Sequence, residues 1–237
     1  MINFSIVITT YQRKDGNTPK YLKRALQSIF DQDYHLFKIY VIGDKYENNE
    51  EFESIFNEFP KDKIYFENLP IAHERDKYTD KTLVWKYAGC FANNYGINKS
   101  ISDGYEYVCH LDHDDEWYPN HLSSLNDAII KTNSLWLCTK SEYGHFMVYP
   151  MVNSDLELVE FNPKPEGLIH SSTCINFKKI PLRHRNVFEE TGFSGLPGDA
   201  DLWYRIREYF NGNNLKGVLV NKITCKHIEE GYEKTHR

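Results

Sequence analysis

Two aspartates one residue apart close an apolar run, Tyr107-Val-Cys-His-Leu-Asp112-His113-Asp114-Asp115. Side chains at i and i+2 of a strand point the same way. Asp112 and Asp114 would then project together beyond a strand end, where open α/β sheets hold their ligands. Adjacent carboxylates repel unless a hard divalent cation shares them. Mg²⁺ and Mn²⁺ suit such oxygen ligands and bridge to substrate phosphates. The same acidic residues, ahead of a helix at Pro119, could instead complement the helix dipole. A calcium loop of the EF-hand type is excluded, because Trp117 stands where its glycine is required and Ser123 where its last carboxylate belongs.

A second acidic group, Gly198-Asp199-Ala200-Asp201-Leu-Trp-Tyr-Arg205, opens a helical pattern. One aspartate could cap free N–H groups, and one facing a cleft could serve as general base toward a hydroxyl. Thr9, Thr10 and Tyr11, with Arg13, and Asp44 each follow an expected strand end on the edge that carries Asp112. They could hydrogen-bond a base and ribose, with Arg13 reaching a phosphate, or simply be solvated loop residues. His227 follows the last expected strand and is either an additional metal ligand or a surface histidine. GxGxxG, Walker A, GxSxG and HExxH are all absent, which disfavours a classical dehydrogenase, P-loop NTPase, α/β-hydrolase or zincin.

These residues need a scaffold. Phe4–Ile8 is a β-branched run of the kind found in buried parallel strands. Thr18 and Pro19 can open a helix, with Leu22, Ala25, Leu26 and Ile29 as its buried stripe. Strands are expected over Phe37–Ile42 and Ile64–Phe66, with a short helix over Glu51–Phe59. One helix is expected over about 80–98, closing at Asn94-Tyr-Gly96. Then come a strand at Tyr105–Leu111 and a helix at Pro119–Ile130. The order β-α-β-α-β opens a doubly wound α/β sheet. The second half reads as a hairpin over Leu135–Tyr149 turning near Glu142–Gly144, a strand over Leu168–Phe177, a helix over about 199–210 and a strand over Val218–Cys225. A nucleotide-binding front half joined to a mixed back half in one continuous domain fits this order.

The chain has 237 residues, enough to bury a core without disulfides or metal. It is 41% hydrophobic and 26% charged, which excludes wholesale disorder. Its formal charge of −6, with no strong basic run, disfavours nucleic acid as a partner. Asp44, Asp112 and Asp114 are expected on one edge of the sheet, and a divalent cation there would make an acidic site attractive to a diphosphate. Five widely spaced cysteines without CxxC read as reduced thiols. The N-terminus reads as a strand rather than a signal peptide. No run approaches the roughly 18 to 20 apolar residues of a membrane span. A soluble, cytoplasmic protein is expected, with peripheral membrane association left open.

In order and spacing, these motifs resemble the GT-A glycosyltransferases of family 2. The matching stretches are Phe4–Arg13, Tyr21–Tyr34, Ile39–Asp44, Ala92–Ile97, His110–Asp115 and Gly198–Arg205. The resemblance spans about residues 3–228. It implies a GT-A-like mixed α/β sheet with a Rossmann-like N-terminal half. Residues 1–237 would form one catalytic domain, about 1–115 binding the nucleotide sugar and about 116–237 the acceptor. It implies that Thr9, Tyr11 and Asp44 hold the nucleotide and that Asp112 and Asp114 are similar to the family's DxD, Asp114 being favoured as direct ligand of Mn²⁺ or Mg²⁺. Asp199 matches the family's base, and Phe193–Pro197 with His170–Thr173 would line the acceptor side. The implied activity is inverting transfer of one sugar from a UDP-sugar to a glycan, lipid-linked or protein acceptor. Alternatives are a nucleotidyltransferase or a nonenzymatic nucleotide- or sugar-binding module. The chain departs from the usual pattern at Gly198, in place of Glu, at Asn93, in place of Arg, and at Gly43-Asp44-Lys45-Tyr46, which keeps one carboxylate. The Gln/Arg-x-x-Arg-Trp motif of processive members is absent.

Overall fold

The structure is a computed structural model that describes residues 1–144, 147–185 and 195–228. In chain order its elements are β1 (Phe4–Thr10), α1 (Thr18–Phe30), β2 (Phe37–Gly43), α2 (Asn49–Ser54), β3 (Ile64–Asn68), α3 (Lys81–Tyr87), α4 (Cys90–Ser102), β4 (Tyr107–His110) and β5 (Glu116–Trp117). The second half adds α5 (His121–Thr132), β6 (Trp136–Tyr143), β7 (Met147–Tyr149), β8 (Leu158–Glu160), β9 (Thr173–Asn176), α6 (Gly198–Gly212) and β10 (Val218–His227). The strands form one mixed sheet in the order β3-β2-β1-β4-β9-β6-β10-β5, with β7 on β6 and β8 on β10. The first four strands are parallel, and β9 runs antiparallel to both β4 and β6. The α/β front half and mixed back half thus follow the expected order.

Alternation along β1 explains how helices cover both faces. Phe4, Ile6 and Ile8 pack with Leu22, Leu26 and Ile29 of α1 and Leu122, Leu125 and Ile129 of α5. Val7 points the other way, into a core with Ile97 of α4 and Trp203, Ile206 and Phe210 of α6. At Gly96 a side chain would meet Val7 Cγ1 at 2.8 Å and Ile42 Cγ1 at 3.1 Å, so only glycine lets α4 lie this close to the sheet.

Local differences from the sequence reading have physical causes. The single helix expected over 80–98 is two, because Gly89 takes a left-handed φ of 83° that ends α3 and caps α4. Nor does α4 stop at Gly96; it runs to Ser102. Thr18 does not cap α1, since Asn17 is the cap residue. Its hydroxyl instead donates to the Tyr11 carbonyl and accepts from the Arg13 N–H, pinning the loop after β1. The strand expected at 168–177 begins only at Thr173, after a 3₁₀ turn over His170–Ser172.

Candidate active site

A cleft of about 590 Å³ lies beyond the C-terminal ends of β1, β2 and β4. It gathers Thr9, Thr10, Tyr11, Arg13, Asp44, Asp112, His113, Asp114 and Asp199. At one end the N–H of Asp44, just past β2, donates to the Thr10 carbonyl at 2.7 Å. Asp44 is 2% exposed. Burial pushes its carboxyl up, against the opposing charge and hydrogen bond of Arg75. Arg75 donates through Nε to Asp44 Oδ2 at 2.9 Å and through Nη2 to the Asp44 and Lys45 carbonyls. Its guanidinium also stands 5.1 Å from the Tyr11 ring centre. Among the described residues, Asp44 Oδ1 and Thr10 Oγ1 are buried without a hydrogen-bond partner, so both remain available to a ligand in the cleft.

The acidic segment is a turn rather than a strand extension. β4 ends at His110, and the Asp115 N–H returns to the Asp112 carbonyl at 3.1 Å. Strand alternation is therefore not what brings Asp112 and Asp114 together; the turn aims both into the cleft. Arg13 Nη1 lies 3.2 Å from Asp114 Oδ2. Arg24 of α1 donates to the Asp114 carbonyl at 2.7 Å and pairs with Glu116 at 2.7 Å. Asp112 Oδ1 faces His170 Nδ1 at 3.0 Å. Burial raises the Asp112 carboxyl, and the charge and hydrogen bond of His170 outweigh it, leaving it below its ordinary value. Asp115 is fully buried and anchors the turn from behind. It accepts from the Ser171 hydroxyl, from the Ile228 N–H at 3.0 Å and from His227 Nδ1 at 3.0 Å. His227 is thus oriented by Asp115 and stacks on Tyr143. Burial lowers its imidazole, but Asp115 more than offsets this and holds it up at about 9.

At the far wall, α6 begins with Gly198 and Asp199. The two aspartates divide as their spacing allows. Asp201 is buried under Arg205, at 2.8 Å, and Arg185, at 3.6 Å, while Asp199 lines the cleft. Burial pushes the Asp199 carboxyl up, with His170 opposing. Glycine at 198 has a steric cause: a Cβ there would meet Cys90 Sγ at 2.3 Å. Asn93 Nδ2 donates to the Gly89 carbonyl at 3.1 Å, so this residue braces the α3–α4 break. Glu74 accepts from the Phe91 N–H at 2.9 Å in the first turn of α4, and burial raises its carboxyl to about 7. Ser171, Ser172 and Thr173 are fully buried and are not among the residues that line the cleft. His170 and Pro197 do line the cleft; Phe193 and Ser194 lie outside the described residues. Sequence reasoning missed Arg24, Arg75, Glu74 and His184, and it gave Asp115 no role.

The sequence profile described as glycosyl transferase family 2 matches residues 5–192. The chain belongs to glycosyl transferase family 2. It is 37% identical over 238 residues to an uncharacterized glycosyltransferase of Acanthamoeba polyphaga mimivirus, covering 97% of this chain and 95% of the relative. An uncharacterized glycosyltransferase of Rickettsia conorii is 28% identical over 97% of this chain, which spans only 35% of that protein. Among solved structures, S. aureus TarS 1–349 in complex with UDP aligns with a TM-score of 0.66 at 14% identity, covering 95% of this chain and 60% of TarS 1–349. The same protein with UDP-GlcNAc aligns with a TM-score of 0.63 at 16% identity, over 95% of this chain and 58% of that one. The family-2 chain thus has the GT-A-like fold. Among the described residues, no helix is long and apolar enough to cross a membrane.

Proposed function

We propose that this family-2 chain transfers a single sugar from a UDP-sugar to an acceptor hydroxyl, with inversion at the anomeric carbon, using Mn²⁺ or Mg²⁺. The observation that carries this reading is the convergence of Asp44, Asp112, Asp114 and Asp199 on one cleft. Residues up to about 115 would hold the donor, and the later half would present the acceptor.

The donor set suits a hard cation. His170 takes one oxygen of Asp112 and Arg13 one oxygen of Asp114, so each carboxylate keeps a second oxygen for a metal. Asp115 takes His227 Nδ1, and His227 would join as a third ligand through Nε2 only by releasing the proton that Asp115 helps it hold. A cation held there would offset charge on the diphosphate leaving group. Thr9, Thr10 and Asp44 would hydrogen-bond the nucleoside, with Tyr11 as a stacking surface braced by Arg75. Asp199 would accept the acceptor hydroxyl's proton as that oxygen bonds to the anomeric carbon. The bond from that carbon to the phosphate oxygen breaks on the opposite face. The raised Asp199 carboxyl is a stronger base than an exposed one. The complexes of TarS with UDP and UDP-GlcNAc support UDP as the nucleotide.

A thermal-shift screen of nucleotide sugars with Mn²⁺ tests the donor. A UDP-sugar should raise the melting temperature more than sugars carried on other nucleotides. Stabilisation by none of them would reject the reading. Proton NMR of the product's anomeric signal tests inversion.

A further inference from the structure

Three histidines from separate parts of the chain meet where β4 ends. They are His110, the last residue of β4, His170, in the 3₁₀ turn before β9, and His184. One ring nitrogen from each lies within 4.8 Å of the others. The His110 and His170 rings stack at 4.4 Å, and the His184 ring stands at 90° to the first and 81° to the second. His110 and His184 are almost wholly buried, at 0% and 3% exposure.

Hydrogen bonding around the cluster selects the tautomers. The Thr173 hydroxyl has one proton and donates it to the His170 carbonyl at 2.8 Å. Toward His110 Nδ1, 3.4 Å away, it therefore accepts. Neutral His110 then carries its proton on Nδ1 and bares Nε2. Asp112 Oδ1, a carboxylate acceptor, fixes the His170 proton on Nδ1 in the same way. Among the described residues, Nε2 of His110, Nε2 of His170 and the ring nitrogens of His184 are buried without a close hydrogen-bond partner, the Gly198 backbone being the nearest polar neighbour of the His184 ring. Buried polar atoms left bare cost stability unless a ligand satisfies them. His184 is also held at its backbone: Asn94 accepts from its N–H at 2.9 Å and donates to its carbonyl at 2.7 Å.

We propose that His110, His170 and His184 form a binding site for a Zn²⁺-class divalent ion, separate from the carboxylate site that would take Mn²⁺ or Mg²⁺. Three imidazoles and no thiolate suit a borderline-soft ion, with one tetrahedral position left over. Asp112 and Thr173 act as the outer partners that orient ligating histidines in such sites. The ion would tie the end of β4 to the 3₁₀ turn and to the segment that precedes α6. His170 and His184 line the donor cleft, so this site would brace that wall.

The test is metal uptake by the chelator-treated chain without nucleotide, in buffer with excess Mn²⁺ to fill the carboxylate site. One equivalent of Zn²⁺ should bind, and Co²⁺ in its place should give the intense visible absorption of tetrahedral coordination. In the wild-type chain, Zn²⁺ should shift the imidazole ¹⁵N signals of all three histidines and leave that of buried His121 unmoved. Thr173→Val should weaken Zn²⁺ binding about 10- to 100-fold, and His184→Gln should lose it with its circular dichroism unchanged. No stoichiometric uptake by the folded wild-type chain, or uptake that leaves the three imidazole signals unmoved, would overturn the proposal. Either result leaves the donor reading untouched, because nucleotide binding is measured separately.

Discussion

Arg75 lies thirty-one positions after Asp44 and nothing near it in the chain marks it, yet the structure makes it the support of Asp44 at one end of the cleft. Consider Arg75→Met, which keeps an apolar stem beside Tyr11 and removes the guanidinium. Asp44 is 2% exposed and would lose its partner at 2.9 Å. The Asp44 and Lys45 carbonyls would lose their donor as well. Breaking a fully buried pair costs about 3–5 kcal/mol. The Arg75 side chain is 21% exposed, so water recovers part of this and the expected loss is about 3 kcal/mol. Asp44→Asn should cost less, because the guanidinium keeps its two carbonyl acceptors. The double variant should be more stable than the sum of the single losses by about 1.5–2 kcal/mol, the range of coupled neighbours. Urea unfolding followed by circular dichroism at pH 7 measures all four proteins. The charge is the cause, so the sign with pH follows. Without Arg75 the folded Asp44 carboxyl rises further above its unfolded value. The folded state then binds the proton more tightly, and Arg75→Met loses more stability at pH 8 than at pH 5. Additive single losses, or a loss independent of pH, would refute the ion-pair reasoning.

Other perturbations separate chemistry from scaffold. Asp199→Asn should reduce transfer about 10²- to 10⁴-fold while donor affinity is retained; steady-state kinetics with parallel calorimetry checks this, and unchanged transfer would remove Asp199 as base. Glu74→Gln keeps the acceptor for the Phe91 N–H and removes a buried carboxyl raised from 4.5 to about 7. The wild type should lose stability as pH rises through that interval, and the variant should be more stable at pH 8 by about 3 kcal/mol, converging with it below pH 4.5; identical pH dependence would contradict this. Gly198→Ala drives a Cβ into Cys90 Sγ and should cost about 1–3 kcal/mol. In a Cys90→Ala background the same substitution should cost little, as read by thermal unfolding, and an equal cost in both would refute the clash.

What could be read from the sequence was what is local. The β1–β2–β4 frame follows from apolar runs that alternate between two helical layers, and the acidic turn and the start of α6 carry their chemistry in adjacent residues. The interactions that finish the site join distant positions. Asp115 meets His227 across 112 residues and Asp112 meets His170 across 58, so no local pattern announces them. The reasoning that paired Asp112 with Asp114 by strand alternation reached the right cleft through the wrong local geometry, because β4 stops at His110. The Gly89 break in the 80–98 segment is hidden by an apolar stripe, Leu83, Tyr87, Cys90 and Phe91, that continues through it; glycine within a helical pattern marks such a break only when tertiary contacts require one. Glu74 at the start of α4 was equally invisible, since its partner Phe91 is a backbone N–H.

A metal-dependent nucleotide-sugar site on the acidic turn requires that UDP binding depend on both the cation and Asp114. Titration calorimetry of UDP into the full chain, with Mn²⁺ and after chelation, tests it most directly when run beside Asp114→Ala. Binding should require Mn²⁺ in the wild type and be lost in Asp114→Ala with the fold intact. Equal UDP affinity with and without Mn²⁺, or full Mn²⁺-dependent affinity in Asp114→Ala, would contradict it.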